Sequence, residues 1–186
     1  MENKYNFEVG DVLNFEWSGM PWLMVKFHNY IKYGYSKTNR WTHTAIIGEI
    51  IGDKIYVYEA LTEGFTRVEY SYVELMGYLN DNLMVVGKSR MPLHNVKENC
   101  DKYLGRPYGF LDILSIILYT IFGNLSFKIY TGSKQLICSE AVARILYDSS
   151  KEVINFEIEF GKRYDLITPI DLYHSRYIFW AGKSDY

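Results

Sequence analysis

The chain has 186 residues, a length that fits one domain and is sufficient to bury a substantial core. Hydrophobic residues make up 48% of it and charged residues 23%, proportions that exclude an intrinsically disordered protein. The formal net charge of −2 provides no broad basic surface, so nucleic acid is not an expected partner.

No repeat, low-complexity tract or linker marks a domain boundary, so we expect one domain over residues 1–186. The N-terminus lacks the apolar segment of a signal peptide, and the most apolar run, 111–122, is too short to cross a bilayer. The two cysteines, Cys100 and Cys138, lie far apart, which is typical of a reducing compartment rather than of a disulfide framework. These features predict a cytoplasmic protein.

The first half of the chain is predicted to form most of a sheet. Pro21 stands near the first turn of a helix that runs to Tyr33, and Ser71 and Glu74 have the spacing of a capping box that opens a helix to about Leu79. Runs rich in β-branched and aromatic residues predict strands within 7–17, 41–48, 54–60, 65–70 and 83–87.

The second half is predicted to be mainly helical. Helices are expected over 94–104, stopped by Gly105, over the apolar residues 110–122, and from Cys138 onward. Thr168-Pro169 has the pattern of an N-cap and first turn, and a last strand is expected over 176–181. The stretch 149–163 has no clear pattern. Segregated strands and helices with a mainly antiparallel sheet predict an α+β fold.

Cys138 is the first candidate for chemistry. It stands where a helix begins, and Ala141, Val142, Ile145 and Leu146 follow it at helical spacing. A thiol in the first turn faces unpaired backbone N–H groups and the positive end of the helix dipole, which both stabilise thiolate over thiol. The alternative is a packed core cysteine, because Cys138 lies on the same apolar stripe and buried thiols are common.

A nucleophilic thiol needs a base and a group that orients the base. His43 lies near the start of a predicted strand, where its side chain can reach a neighbouring helix terminus, and Glu59 lies on the next strand. The two share one face only if the hairpin loop has an odd number of residues, and apolar matching of 45 and 47 with 55 and 57 favours such a loop. A two-residue Gly52-Asp53 turn is predicted to place them on opposite faces.

The order of several short motifs resembles the circularly permuted NlpC-type papain-fold cysteine hydrolases, the YiiX-like group above all, with lecithin–retinol acyltransferase-like proteins as more distant relatives. The histidine strand precedes the cysteine helix, the reverse of the order in papain. The resemblance covers about residues 10–146. The motifs are Gly10-Asp-Val-Leu, Trp41-Thr-His-Thr-Ala, Tyr58-Glu-Ala, Gly105-Arg-Pro-Tyr and Ile137-Cys-Ser-Glu-Ala-Val.

The resemblance implies a papain-like fold in which Cys138 is the nucleophile, His43 the base and Glu59 the orienting residue. It implies a hydrolase or acyltransferase acting on an amide or ester, such as a peptide, an amino-acid amide or a lipid-like molecule, and it places Tyr108 near the cleft. No cofactor is expected, since the ligand spacings typical of zinc sites are missing. A catalytic zinc held by Cys, His and Glu and a non-catalytic binding protein are the alternatives.

The segment 17–40 is expected to run along one side of the Cys138–His43 cleft, because Trp41 anchors its end two residues before His43. We therefore expect Trp41, Tyr33 and Tyr35 to contact the substrate. The polar, basic and aromatic stretch 33–40 could instead contact a membrane surface or form a plain solvated loop. The sequence leaves the oligomeric state open.

Overall fold

A six-stranded antiparallel sheet forms the centre of the fold in the computed structural model, which describes residues 5–18, 20–34, 40–109, 113, 116 and 135–181. Helices pack against this sheet, so the predicted α+β class is confirmed. Tyr35 and nearly all of the predicted helix over 110–122 lie outside the described residues. The strands are β1 (Val12–Phe15), β2 (His43–Ile51), β3 (Lys54–Leu61), β4 (Gly64–Ser71), β5 (Met84–Ser89) and β6 (Ile178–Trp180), in the spatial order β4-β3-β2-β1-β5-β6.

The helices begin and end close to several of the predicted boundaries. The capping box of Ser71 and Glu74 is present, and so is a second one in which Thr168 and Asp171 cap the helix that has Pro169 at its start. The helix expected over 94–104 is shorter, and 149–163 contains a helix that its pattern does not predict. The helices are α1 (Met20–Tyr33), α2 (Tyr72–Asn80), α3 (Val96–Asp101), α4 (Cys138–Ser149), α5 (Phe156–Phe160) and α6 (Pro169–His174).

Both faces of the central strands are buried. On one face Ala45 and Ile47 pack with Leu75 of α2, and on the other Ile46 packs in a cluster with Val142 of α4. Strand β2 is therefore buried on both sides over its first six residues. None of the helices within the described ranges has both the length and the apolar character that a bilayer crossing requires.

The hairpin of β2 and β3 corrects one prediction. Its loop is the two-residue Gly52-Asp53 turn, because Ile51 pairs with Lys54, so the expected odd-length loop is wrong. The register then shifts at Gly48, which is an extra residue in β2 without a partner in β3. A β-bulge of this kind changes the parity of a strand by one. The bulge therefore has the effect that was expected of an odd-length loop. Beyond it, His43 and Ala45 of β2 lie on the same face of the sheet as Glu59 of β3.

Gly48 is required at this bulge because the ring of Tyr58 occupies the space of a side chain. A Cβ at Gly48 would lie 2.4 Å from Tyr58 Cε2 and 3.4 Å from Cys100 Sγ. The ring cannot turn away without losing the hydrogen bond that its hydroxyl donates to Asp101 at 2.8 Å. The bulge is thus held in place by packing between the sheet and α3.

We expect Gly48→Ala to lower the free energy of unfolding by about 1–3 kcal/mol, the usual cost of overpacking a core. Urea denaturation followed by circular dichroism measures this. The control is Gly77→Ala within α2, where a Cβ meets nothing within 4 Å; removing a helical glycine should stabilise the protein by about 0.5–1 kcal/mol. Equal stability of Gly48→Ala and the unmodified protein would contradict the assigned role of the Tyr58 ring.

Candidate active site

His43 and Glu59 form a buried pair at one end of the sheet. His43 is the first residue of β2. Glu59 lies in β3 opposite Ala45, two residues after His43, so His43 and Glu59 are diagonal neighbours on one face. The His43 Nε2 donates to Glu59 Oε2 at 2.7 Å, and both side chains are completely buried. Because carboxylates are rarely buried without a partner, this contact accounts for the presence of Glu59 in the core.

Cys138 is the first residue of α4. The residue before it, Ile137, is extended, and among the described residues no side chain caps the helix N-terminus. Leu136 fixes the approach, because its N–H donates to Pro107 O and its carbonyl accepts from Gly109 N, both at 3.0 Å. The thiol therefore lies at the positive end of a helix dipole, as the sequence predicts, and it is 4% exposed.

The thiol of Cys138 lies close enough to the imidazole of His43 to act on its pKa. Because Nε2 is bonded to Glu59, Nδ1 is the nitrogen from which the imidazole can donate to the sulfur. Burial by itself would lower the pKa of His43, but the negative charge and hydrogen bond of Cys138, followed by those of Glu59, raise it to about 9. An imidazole with this pKa is protonated at neutral pH, so it can hold a thiolate beside it.

Two aromatic residues that sequence reasoning missed complete this pair. The indole of Trp17 stacks on the His43 ring at 4.2 Å between centroids and 10° between planes, and Tyr70 donates its hydroxyl to Glu59 Oε1 at 3.1 Å. The Thr42 hydroxyl fixes the Trp17 backbone, accepting from its N–H at 2.9 Å and donating to its carbonyl at 3.1 Å. Neither contact has a short-range signal, since the partners are far apart in sequence.

Stacking of this kind favours a cationic ring through the quadrupole of the indole. Replacing Trp17 with leucine is therefore expected to lower the pKa of His43 by about 0.5–1, the equivalent of a cation–π contact worth about 1 kcal/mol. Nuclear magnetic resonance titration of the His43 ring measures this pKa. Trp17→Phe, which retains an aromatic face, serves as the matched control, and in it the pKa of His43 should fall by less. A pKa unchanged in both variants would mean that the indole only fills space.

A small cavity lies beside the thiol. Its volume is ≈ 20 Å³, which suffices for a single water molecule. Its walls are mainly apolar, with Cys138 and Tyr108 on one side and helix α1 on the other. The residues that line it are Val25, His28, Tyr108, Ile113, Ile116, Ile137, Cys138, Ser139, Thr168 and Pro169.

Of the residues expected to contact substrate that lie within the described ranges, Tyr108 lines this cavity and Trp41 and Tyr33 do not. Trp41 is 2% exposed, packs against the ring of Tyr173 and accepts a hydrogen bond from Asn29 at its carbonyl. Tyr33 donates its hydroxyl to Asp171 at 2.6 Å. Tyr35 lies outside the described residues. Helix α1 does line the cavity, so part of the segment 17–40 lies where it was expected.

Comparison with known proteins adds a fold likeness. No family model matches the sequence, and no curated protein matches it either. Among solved structures, the metalloprotein yiiX from Escherichia coli O157:H7 is similar with a TM-score of 0.59 and 15% sequence identity, over 95% of this chain and 97% of that chain. At this identity the likeness shows that the two chains share a fold, which supports the expected relation to YiiX-like proteins at that level.

Proposed function

We propose that this protein is a cysteine-dependent hydrolase or acyltransferase that acts on an amide or ester through an acyl-thioester. The observation that carries the proposal is the position of His43, which bonds to Glu59 through Nε2 and lies beside Cys138, whose charge raises the pKa of the imidazole. A nucleophile, a base and a group that orients the base are thereby brought together, as covalent acyl transfer requires. The substrate would be a peptide, an amino-acid amide or a lipid-like ester.

In the first half of the reaction, the Cys138 thiolate attacks the carbonyl carbon and forms a C–S bond. The carbonyl oxygen takes up the negative charge, and the backbone N–H of Cys138 at the start of α4 is suited to stabilise it. When the C–N or C–O bond breaks, the imidazolium of His43 gives its proton to the leaving group. An acyl-thioester and a neutral imidazole result.

In the second half, the neutral His43 removes a proton from water or from an acceptor alcohol or amine, which attacks the thioester carbonyl. The C–S bond breaks, the sulfur leaves as thiolate, and His43 is protonated again. Glu59 holds Nε2 throughout, so that Nδ1 faces the sulfur. Because the first half consumes a proton held by His43, turnover should decline as the pH rises through about 9, the pKa of that group.

The same observations support membership of the permuted papain-like cysteine hydrolases. The histidine strand precedes the cysteine helix, and the fold is like that of yiiX. These two facts agree with the motif order of that family.

The description of yiiX as a metalloprotein raises the possibility of a metal here. The described residues contain no group of three His, Cys, Asp or Glu side chains that could hold a metal ion. One Glu59 oxygen is bonded to His43 and the other accepts from Tyr70, so this carboxylate is not directed at a point between the thiol and the imidazole. The donor set therefore does not fit a catalytic zinc, which needs three protein ligands around one point.

The test is labelling with a thiol-reactive activity probe, read by mass spectrometry. Cys138 is expected to react rapidly, whereas Cys100 should remain almost unlabelled because burial raises the pKa of that thiol. Labelling that is insensitive to chelators but lost on blocking Cys138 supports the proposal. Equally slow labelling of both cysteines would instead indicate a binding protein that keeps the fold without turnover.

A further inference from the structure

A cluster of two lysines around one buried carboxylate lies between the C-terminal end of α1 and the start of α6. Asp171 accepts from Lys32 at 3.2 Å, and its other oxygen accepts from Lys162. The Tyr33 hydroxyl and the Thr168 N–H also donate to Asp171, at 2.6 and 2.8 Å. The Asp171 side chain is 2% exposed, that of Lys162 10% and that of Lys32 35%.

The charges of this cluster do not balance. Two ammonium groups share one carboxylate, so the cluster carries one net positive charge, with Lys162 mostly buried and Lys32 partly exposed. Burial, only partly offset by Asp171, lowers the pKa of Lys162 to about 8, whereas Asp171 and Tyr33 outweigh burial and raise the pKa of Lys32, so Lys162 is the ammonium group with too little negative charge around it. A buried cation is stable only when it is well paired, so a second anion would be favourable here.

The cluster adjoins the cavity that holds the nucleophile. Val25, His28 and Lys32 lie on one face of α1 at spacings of i, i+3 and i+7, and the first two line the cavity. On the opposite wall Thr168 lines the cavity and donates its hydroxyl to Asp171 at 2.5 Å. The rise along α1 places Lys32 about 6 Å beyond His28 and about 10 Å beyond Val25.

On the premise of the proposed acyl transfer, we infer that Lys32 and Lys162 form a subsite for an anionic group of the substrate. A carboxylate or phosphate would bind at the two ammonium groups beside Asp171, and the rest of the molecule would pass Val25 and His28 toward Cys138, which requires the cavity to widen beyond ≈ 20 Å³. This selects anionic acyl substrates that are long enough to reach from Cys138 past His28 to Lys32 over neutral ones of the same length. It also gives the lysines of the cluster a function besides joining α1 to α6.

The test uses a homologous series of N-(ω-carboxyalkyl) iodoacetamides and their neutral primary-amide counterparts. Alkylation of Cys138 is timed by mass spectrometry and needs no turnover. For the members long enough to reach Lys32, the acid is expected to react about tenfold faster than the amide, the effect of one charge-assisted hydrogen bond. The shortest members should show no preference. Equal rates of acid and amide at every length would overturn the inference.

Three variants locate the effect. Lys32→Met and Lys162→Met should each reduce the preference for the acid, whereas Lys26→Met should retain it, because Lys26 lies on α1 but pairs with Glu16 at 3.1 Å. Thermal denaturation shows which variants fold, and Lys32, the more exposed of the two, is the safer replacement. If the Lys32→Met and Lys162→Met variants both fold and both keep the full preference for the acid over the amide, the subsite is contradicted.

Failure of the proposed function has a different signature. If Cys138 reacts with none of the reagents, the acyl-transfer proposal is wrong, and the subsite is then tested with the unreactive N-(ω-carboxyalkyl) acetamides. Their binding is followed through the resonances of the His28 ring, which lines the cavity. Shifts caused by the acid but not by the amide, and absent in Lys32→Met, support the subsite without catalysis; shifts of equal size from both overturn it.

Discussion

Replacement of His43 by alanine is expected to slow both alkylation of Cys138 at neutral pH and any acyl turnover by about 10²–10⁴-fold, the range of general acid–base catalysis. In the proposed mechanism the imidazolium stabilises the thiolate, and without it the thiol would have to ionise in a site that is almost completely buried. The rate of iodoacetamide labelling, measured from pH 5 to 10, tests the effect on the thiol. Loss of turnover with any chromogenic acyl ester substrate tests the effect on catalysis.

Two controls keep this result interpretable. His94→Ala removes an exposed imidazole at the end of α4 opposite to Cys138, where the His94 N–H donates to Ser149 O, and should leave the labelling rate unchanged. His43→Gln retains a donor for Glu59, so a folded His43→Gln that is as slow as His43→Ala separates loss of the base from loss of the fold. If both His43 variants label at the rate of the unmodified protein, Cys138 does not depend on His43 and the proposed site is wrong.

Glu59→Ala should be among the most destabilising substitutions in the sheet, with a loss of about 3–5 kcal/mol near pH 7. Removing one partner of a buried ion pair leaves the other charge uncompensated, and here the Tyr70 hydroxyl also loses its acceptor. The midpoint of urea unfolding, measured together with its slope, gives the change in stability. Glu59→Gln keeps the shape of the side chain and an acceptor oxygen, so its loss of stability should be smaller.

The effect of Glu59→Ala should depend on pH with a defined sign. The pKa of His43 is about 9 in the folded protein and 6.5 in an unfolded chain, so its protonation stabilises the fold fully below about pH 6.5. This contribution, about 3 kcal/mol, is lost as the pH rises through about 9. The difference between the unmodified protein and Glu59→Ala should therefore narrow between pH 6.5 and 9; a constant difference would mean that Glu59 does not raise the pKa of His43.

Local patterns in the sequence determine most of the secondary structure. Ser71 with Glu74, and Thr168 with Pro169, cap helices where their spacing predicts, because a capping box satisfies backbone donors within three residues. Cys138 begins a helix for a similarly local reason, since the apolar stripe that follows it has helical spacing. The short helix Phe156–Phe160 shows the limit of such patterns, because a single turn is too brief for periodicity to indicate it.

The assembly of the candidate site depended on tertiary structure. The sequence suggested that His43 and Glu59 share a face but attributed this to an odd hairpin loop, whereas a bulge at Gly48 supplies the extra residue. That bulge is specified by the ring of Tyr58 packed against it, a contact that strand propensity does not contain.

The same holds for the partners of the reactive groups. Trp17 stacks on His43 and Lys162 binds Asp171 because separate elements pack together, and no spacing in the chain encodes either contact. The sequence by itself determined which residue types are available for chemistry and which elements carry them. Their distances, burial and shared charges were decided only by the tertiary structure, because side chains distant in sequence meet only when the sheet and helices close on each other.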